Sequence, residues 1–312
     1  MLWFTEFYEG EGMDLQATGL TFKVKSAKRL KSEFQEVLLL DTYDWGKVLV
    51  LDGAVQTTEK DEFVYHEMIV HPALFTLESS AEKVLVIGGG DGGTVRELLK
   101  HSPEKVDMVE IDREVVEIAK RELPFTSCKL DSPKVELHFA DGREFVKDKE
   151  DYYDAIIVDC SDPVGPSAVL YQQEFYADCK KALKEGGIFV TQSESPFAQR
   201  KVHRKVVREL KKVFPIVRPY LAFIPTYPSG MWSFTVASLK RDPLALPPKR
   251  LQTLYSNFVQ KNGKLKYYNV EVHYGAFAIP NFVYAEEEDG DTEADCPRGG
   301  AEHPSAGLPQ ER

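Results

Sequence analysis

The sequence predicts an α/β protein: a Rossmann-like, mostly parallel sheet with helices on both faces, preceded by a small N-terminal antiparallel β-sheet domain. Three observations carry this. The first sixty residues read as short strands separated by Gly, Asp and Lys. From about residue 83, short apolar runs alternate with helical patterns. The first of those runs, KVLVIG, feeds a glycine loop that opens a helix. The 312 residues, 43% of them hydrophobic, suffice for one sizeable core with a smaller domain beside it.

LTFKVKSAKR, FQEVLLLDT and WGKVLVLDGAVQTT alternate apolar with polar residues or run briefly apolar, as strands and hairpins of an antiparallel sheet do, and define a domain over residues 1–61. At DEFVYHEMIVHPALF the spacing turns helical, with Phe63, His66, Glu67 and Val70 on one or two faces. Then KVLVIG, KVDMVEID, KVELHFAD, DAIIVDC and IFVTQ read as strands, with GTVRELLKH, REVVEIAKREL and QEFYADCKKALKEGG as helices between them. HRKVVRELKKVF adds a helix and MWSFTVASL a strand. DPLALPPKRL is broken by proline, and KYYNVEVHYGAFAIPNFV is mixed. The second domain therefore spans 62–284. Residues 285–312 form an acidic, then Gly/Pro-containing tail expected to be disordered.

The formal net charge of -11 argues against a polyanionic partner, because nucleic-acid binding needs clustered Lys and Arg. Cationic ligands suit it better. The four cysteines share no C-x-x-C spacing, and with seven scattered histidines they give no zinc signature. No secretory segment and no run of 18 apolar residues is present, so a cytoplasmic protein without a membrane span is expected.

The loop Gly88-Gly89-Gly90-Asp91-Gly92-Gly93 lets the backbone pass close to a ligand. An acid follows about 22 residues on, at Glu110, placed to accept from ribose hydroxyls. A dinucleotide would bring a pyrophosphate to the helix N-terminus, where Asp91 would repel it. An S-adenosyl sulfonium ligand has no phosphate and fits better. Asp141-Gly142, after the strand KVELHFA, stands where an adenine edge could be met, or forms an ordinary turn. Ordinary S-adenosylmethionine would bring a carboxylate towards Asp91, whereas its decarboxylated form brings only an ammonium. The second strand end, DAIIVDCSDPVGPS, carries Asp159 and Asp162, which could bind a metal, share a proton or hold a cation. With no histidine or third ligand near them in sequence, the metal reading is weak.

GGGDGGTVRELLKH, TTEKDEFVYHEM, VDCSDPVGP and IPTYPSGMW together resemble the spermidine synthases of the aminopropyltransferase family, and the resemblance runs from about Trp3 to Val283. It implies transfer of an aminopropyl group from decarboxylated S-adenosylmethionine, a co-substrate rather than a cofactor, to a diamine, usually putrescine, in a homodimer or homotetramer. Matching positions assign Gln35, Gln56, Gly88, Gly90, Asp91, Glu110, Asp141 and Gly142 to the donor. The acceptor would meet Trp3, Tyr65, His66, Asp159, Asp162, Gln192, Glu194, Tyr227 and Trp232, with Asp159 and Tyr65 catalytic. Where this chain has His66, other family members carry glutamine. No metal and no other cofactor is implied. A methyltransferase acting on a small amine would share the loop, Glu110 and Asp141, but would have to accommodate the donor carboxylate.

The chemistry suits these residues. The leaving group, a neutral thioether, needs little help, but an amine with a pKa near 10.4 arrives protonated. The site must bind a dication, remove one proton, and align nitrogen, carbon and sulfur. Asp159, at a strand end, is the candidate base. Desolvation and the neighbouring sulfonium charge would lower the amine's own pKa.

Overall fold

The computed structural model describes residues 1–8, 13–15, 18–77, 80–162 and 165–284. The predicted tail, along with Pro163 of the second strand-end motif, lies outside them. Alternation in the N-terminal strands builds a five-stranded antiparallel meander: β1 (Leu2–Phe7), β2 (Gly19–Lys31), β3 (Glu36–Thr42), β4 (Lys47–Leu51) and β5 (Ala54–Thr58), in that spatial order. One face packs Phe22, Val24, Leu40, Val48 and Val50 together, while Val37, Leu39 and Leu49 pack against Val115 and Ile118 of the following domain.

Helix α1 (Glu62–Thr76) links the two domains. The chain then runs through β6 (Lys83–Gly88), α2 (Gly93–Leu99), β7 (Lys105–Glu110), α3 (Arg113–Glu122), α4 (Pro124–Ser127), β8 (Val135–Phe139), α5 (Gly142–Lys147) and β9 (Tyr153–Asp159). It continues through α6 (Gln173–Ala182), β10 (Leu183–Gln192), α7 (Arg200–Val213), β11 (Ile216–Phe223), β12 (Met231–Ser238), α8 (Pro248–Asn262), α9 (Val270–Ala276) and α10 (Asn281–Tyr284). The second sheet has the order β11-β12-β10-β9-β6-β7-β8. Its strands β10, β9, β6, β7 and β8 are parallel, while β12 runs antiparallel to both β10 and β11.

Period-2 alternation sorts the side chains. Val84, Val86, Ala155 and Ile157 join α1 and α2 on one face, and Leu85, Ile87, Ile156 and Val158 join α6 and α7 on the other. Both faces are covered, which is why the strands read as continuous apolar runs. The mixed stretch after residue 241 resolves into α8, α9 and α10. It is anchored by Glu67 of α1, whose carboxylate accepts the N–H groups of Lys266, Tyr267 and Tyr268 at 2.8 to 2.9 Å. Helix α1 is buried on every side, Phe63 excepted, rather than on one or two faces. No described helix is long and apolar enough to cross a membrane.

Candidate active site

Strand order reverses between β6 and β9: from β6 the chain steps outward to β7 and β8, then returns to place β9 on the other side. The crevice at the carboxyl ends of such a pair is where open parallel sheets bind ligands. Here Gly88 ends β6 directly opposite Asp159 at the end of β9. A cavity of about 230 Å³ opens there, between the parallel sheet and the N-terminal meander.

The glycine loop begins at Gly88, with φ of +83°; a Cβ there would stand 2.1 Å from the Asp159 carbonyl oxygen, so only glycine lets the two strand ends meet. The Gly89 N–H donates to that same carbonyl at 2.7 Å. Asp91 uses Oδ1 to accept the Gly93 N–H at the start of α2, at 3.0 Å. Its Oδ2 is buried and accepts no hydrogen bond. The nearest cation to Oδ2 is His66 Nε2, at 3.3 Å, an ion-pair contact out of line for hydrogen bonding.

His66 is gripped from the other side by Glu62, one turn earlier on α1, at 2.7 Å from Nδ1. Burial pushes the imidazole towards its neutral form, but Asp91 and Glu62 outweigh it and raise its pKa to about 10. Arg96 of α2 in turn holds both Glu62 oxygens, at 3.0 and 2.8 Å. His66, Asp91 and Asp159 offer ligand atoms within 4.8 Å of one another. Carboxylates on both His66 nitrogens nevertheless hold it as an imidazolium, which has no lone pair for a metal.

Asp159 lies beside this array. Its Oδ1 accepts from the Tyr65 hydroxyl at 2.6 Å, and its Oδ2 from the Thr94 hydroxyl at 2.7 Å. Burial raises its pKa, and His66 partly opposes that. Burial and then Asp159 push the Tyr65 hydroxyl well up, so it donates to the carboxylate rather than ionising.

The other predicted donor residues surround one end of the cavity. Gln35, Gln56, Gly90, Glu110, Asp141 and Gly142 all line it. Gln35 is fixed by its amide donating to Asp112 at 2.8 Å, which ties the meander to the parallel sheet. Burial pushes the Glu110 carboxyl up to about 7, against the Asp112 N–H that stabilises its anion. Asp141 caps α5 by accepting the Arg143 N–H, so its turn role and its place in the cavity are both real.

At the other end, Asp162, Gln192, Tyr227 and Trp232 line the wall. Tyr227 packs against Tyr65 and Trp232, with ring centroids 5.8 and 4.6 Å apart. Glu194 stands one layer behind, accepting from the Gln192 amide at 2.8 Å, in a left-handed conformation with φ of 62°. Such strain in a non-glycine residue clusters at functional sites. Burial raises the carboxyls of both Asp162 and Glu194.

Besides Glu194, one expected residue is not in this wall. Trp3 is 54% exposed and faces away, because strand alternation sends residues three apart to opposite faces. That same alternation turns Glu6 inward, into the cavity. Its Oε1 accepts the Val55 N–H at 3.1 Å, its Oε2 is buried without a partner, and burial pushes its pKa up to about 8. An acid on the inward face of an amphipathic strand was the available signal. Thr94, which holds Asp159, carried none.

The molecule is similar in sequence and shape to characterised groups. A family model described as the spermine/spermidine synthase domain matches residues 62–244, and one described as the spermidine synthase tetramerisation domain matches 2–59. A polyamine aminopropyltransferase of Caldicellulosiruptor bescii is 48% identical over 284 residues, covering 90% of this chain and 96% of its own. One from Methanocaldococcus jannaschii is 47% identical over 286 residues, covering 90% and 94%. A solved spermidine synthase in complex with the transition-state analogue AdoDATO has a TM-score of 0.84 at 43% identity, covering 90% of this chain and 93% of that one. The spermidine synthase from Thermotoga maritima gives 0.81 at 43% identity, covering 90% and 92%.

Proposed function

Because the chain belongs to the spermine/spermidine synthase family, whose members transfer an aminopropyl group from decarboxylated S-adenosylmethionine to a diamine, we propose that its acceptor is putrescine and its products are spermidine and 5'-methylthioadenosine. Aminopropyl transfer is this chain's reaction. The observation that carries the choice of ligands is two buried acids facing one cavity: Glu6, whose Oε2 has no donor, and Asp91, whose Oδ2 has only the His66 ion-pair contact at 3.3 Å. A buried acceptor left unpaired is costly, and an arriving ammonium group satisfies it.

In this reading the nucleoside lies against Gly88, Gly90, Asp141 and Gly142, with Gln35 and Gln56 closing over it and Glu110 accepting from the ribose. The donor's ammonium meets Asp91. The diamine lies along Tyr227 and Trp232, its far ammonium towards Glu6, Asp162 and the Gln192–Glu194 pair. Its near nitrogen faces Asp159 and Tyr65. Once that nitrogen has lost a proton, its lone pair forms the new N–C bond while the C–S pair returns to sulfur, leaving a neutral thioether. Asp159 accepts the proton shed from nitrogen. A carboxylate of ordinary pKa is a poor match for an ammonium, so the raised pKa of Asp159 narrows the gap from one side and the sulfonium charge from the other. The apolar outer side of β1, with Trp3 and Phe7 exposed, supports a homo-oligomer, dimer or tetramer, built through the meander.

The deciding experiment is calorimetric binding of decarboxylated S-adenosylmethionine and its carboxylated parent to wild type and Asp91→Asn. Loss of Asp91 should weaken the decarboxylated form by roughly 1 to 3 kcal/mol, as for a charged hydrogen bond, and the parent by less. Methylthioadenosine, which lacks the aminopropyl group, should be unaffected. Equal losses for both sulfonium nucleosides would return the methyltransferase reading.

A further inference from the structure

Asp61 stands where helix α1 begins, the position at which an aspartate ordinarily caps its own helix. It does not do so here: its side chain makes no capping bond to α1. Its carboxylate is instead spent on two other parts of the fold. Oδ1 accepts from the Thr58 hydroxyl at 2.6 Å, at the end of β5 in the meander. Oδ2 accepts both the backbone N–H and the hydroxyl of Thr226, at 3.1 and 2.7 Å, in the loop between β11 and β12. Asp61, Thr58 and Thr226 are all buried, at 5%, 0% and 1% exposure. Three charge-assisted hydrogen bonds in so dry a place are strong and directional.

What the loop carries gives the knot its meaning. Tyr227 follows Thr226 directly, and its hydroxyl donates to the Gln56 carbonyl at 2.6 Å, two residues before Thr58 on the same strand. The loop is a tight reversal: Ile224 and Gly230 pair through the Ile224 N–H, and the Gly230 N–H donates to the Tyr227 carbonyl. Ser229 and Gly230 both have positive φ, at 62° and 71°. Within the loop Tyr227 is held by its backbone, its N–H donating to the Ile224 carbonyl at 3.1 Å, and Ser229 meets the Ser195 hydroxyl at 3.0 Å; the reach of the Tyr227 ring over the cavity is left to ties made beyond the loop. Those ties are its own hydroxyl to the Gln56 carbonyl and, through the preceding Thr226, the bonds to Asp61. Four residues beyond Asp61 on α1 lies Tyr65, against which Tyr227 packs and whose hydroxyl holds Asp159.

We propose that Asp61 is a positioning residue for the acceptor half of the site: by joining β5, the start of α1 and the β11–β12 loop, it fixes where the packed Tyr227–Tyr65 pair stands against the diamine's path. This rests on the transferase reading above. It assigns to Asp61 no contact with either substrate, since Asp61 does not line the cavity.

The consequence is a division of effects between the two substrates. Asp61→Asn keeps the shape but weakens the three bonds, and it should raise the KM for the diamine roughly tenfold, the scale of one lost charged hydrogen bond. The KM for the sulfonium donor and the Kd for methylthioadenosine should stay within about twofold, because neither depends on where the Tyr65–Tyr227 pair stands. Thr226→Val removes only the hydroxyl and should move the diamine KM the same way by less, while Thr226→Ser restores it. Should Asp61→Asn fail to fold, the Thr226 pair decides alone. The proposal is overturned if the diamine KM is unchanged in Asp61→Asn and Thr226→Val, or if donor and diamine affinities fall together in step with Tm, which is what a merely structural tie would give. A wild-type protein without aminopropyl transfer would refute the transferase reading instead. Calorimetric binding of putrescine to the same variants would then still read the position of the pair.

Discussion

Asp159 shows how a single carboxylate can be both fixed and reactive. Two hydroxyls, from Tyr65 and Thr94, aim it and favour its anion, while burial favours its neutral form. The net direction is upward, towards the range in which a carboxylate can take a proton from a softened ammonium. Asp159→Asn keeps the shape and removes the basicity and charge. It should lower kcat by about 10² to 10⁴, the usual worth of a general base, and leave donor affinity within severalfold. Single-turnover rates beside calorimetric donor binding would check this, and near-normal turnover would remove Asp159 from proton transfer. At this scale much was legible in the sequence, because Gly88, Asp91, Glu110 and Asp159 all sit at or just beyond strand ends, and strand ends are read from apolar runs. Glu6 and Trp3 were harder: their roles depend on which face of one edge strand turns inward, and the sequence gives the alternation without giving the direction. His66 was seen as a channel residue; its i,i+4 spacing to Glu62 was open to reading, but its ion pair with Asp91 joins a loop to a helix, a contact that no spacing announces.

Between elements, the same imidazole decides how α2 can approach α1. Gly93 opens α2, and a Cβ there would come within 2.2 to 2.4 Å of the His66 ring. Its φ is not in the left-handed region, so the demand is purely one of space, and the ring is held on both nitrogens and cannot swing aside. Gly93→Ala should therefore destabilise by about 1 to 3 kcal/mol, the cost of overpacking a buried contact. In a His66→Ala background that cost should largely vanish, a coupling that a double-mutant cycle of urea midpoints measures. Additive losses would place the clash elsewhere. The second of the paired glycines after Asp91 is thus explained by packing against α1, whereas a reading from sequence weighed the loop as ligand space or as a tight strand-to-helix turn. The helices beyond residue 241 escaped such a reading for a related reason. Their proline-broken pattern has no clean period, and what secures them is a buried carboxylate on a distant helix, Glu67, that supplies three backbone donors with a partner.

Across the molecule, the cavity exists because the meander and the parallel sheet close on each other, and the charges beside it, where α1, the glycine loop and α2 meet, make stability depend on pH. His66 belongs to α1, Asp91 to the glycine loop and Arg96 to α2, with Glu62 binding the first to the third. Folding raises the His66 pKa from 6.5 to about 10, so the native state holds a proton that the unfolded chain gives up earlier. The sign follows directly: stability falls with pH wherever the native state binds more protons than the unfolded one. The contribution from His66 is whole below pH 6.5, declines as pH rises, and is gone once pH passes about 10. At most it falls by ~1.4 kcal/mol for each pH unit in that window. Glu62 and Asp91 act in the opposite direction, both lowered despite burial by His66 and by neighbouring donors, so their contribution is lost on acidification instead. Urea unfolding of the ligand-free protein at intervals from pH 6.5 to 10 should show this alkaline decline in wild type. In His66→Gln, which keeps hydrogen-bonding capacity and has no proton to lose, the slope should flatten across the same range, while the acid limb persists in altered form. Parallel slopes in the two proteins would mean that the imidazole is neutral in the fold, and that Asp91 faces the cavity with its full charge.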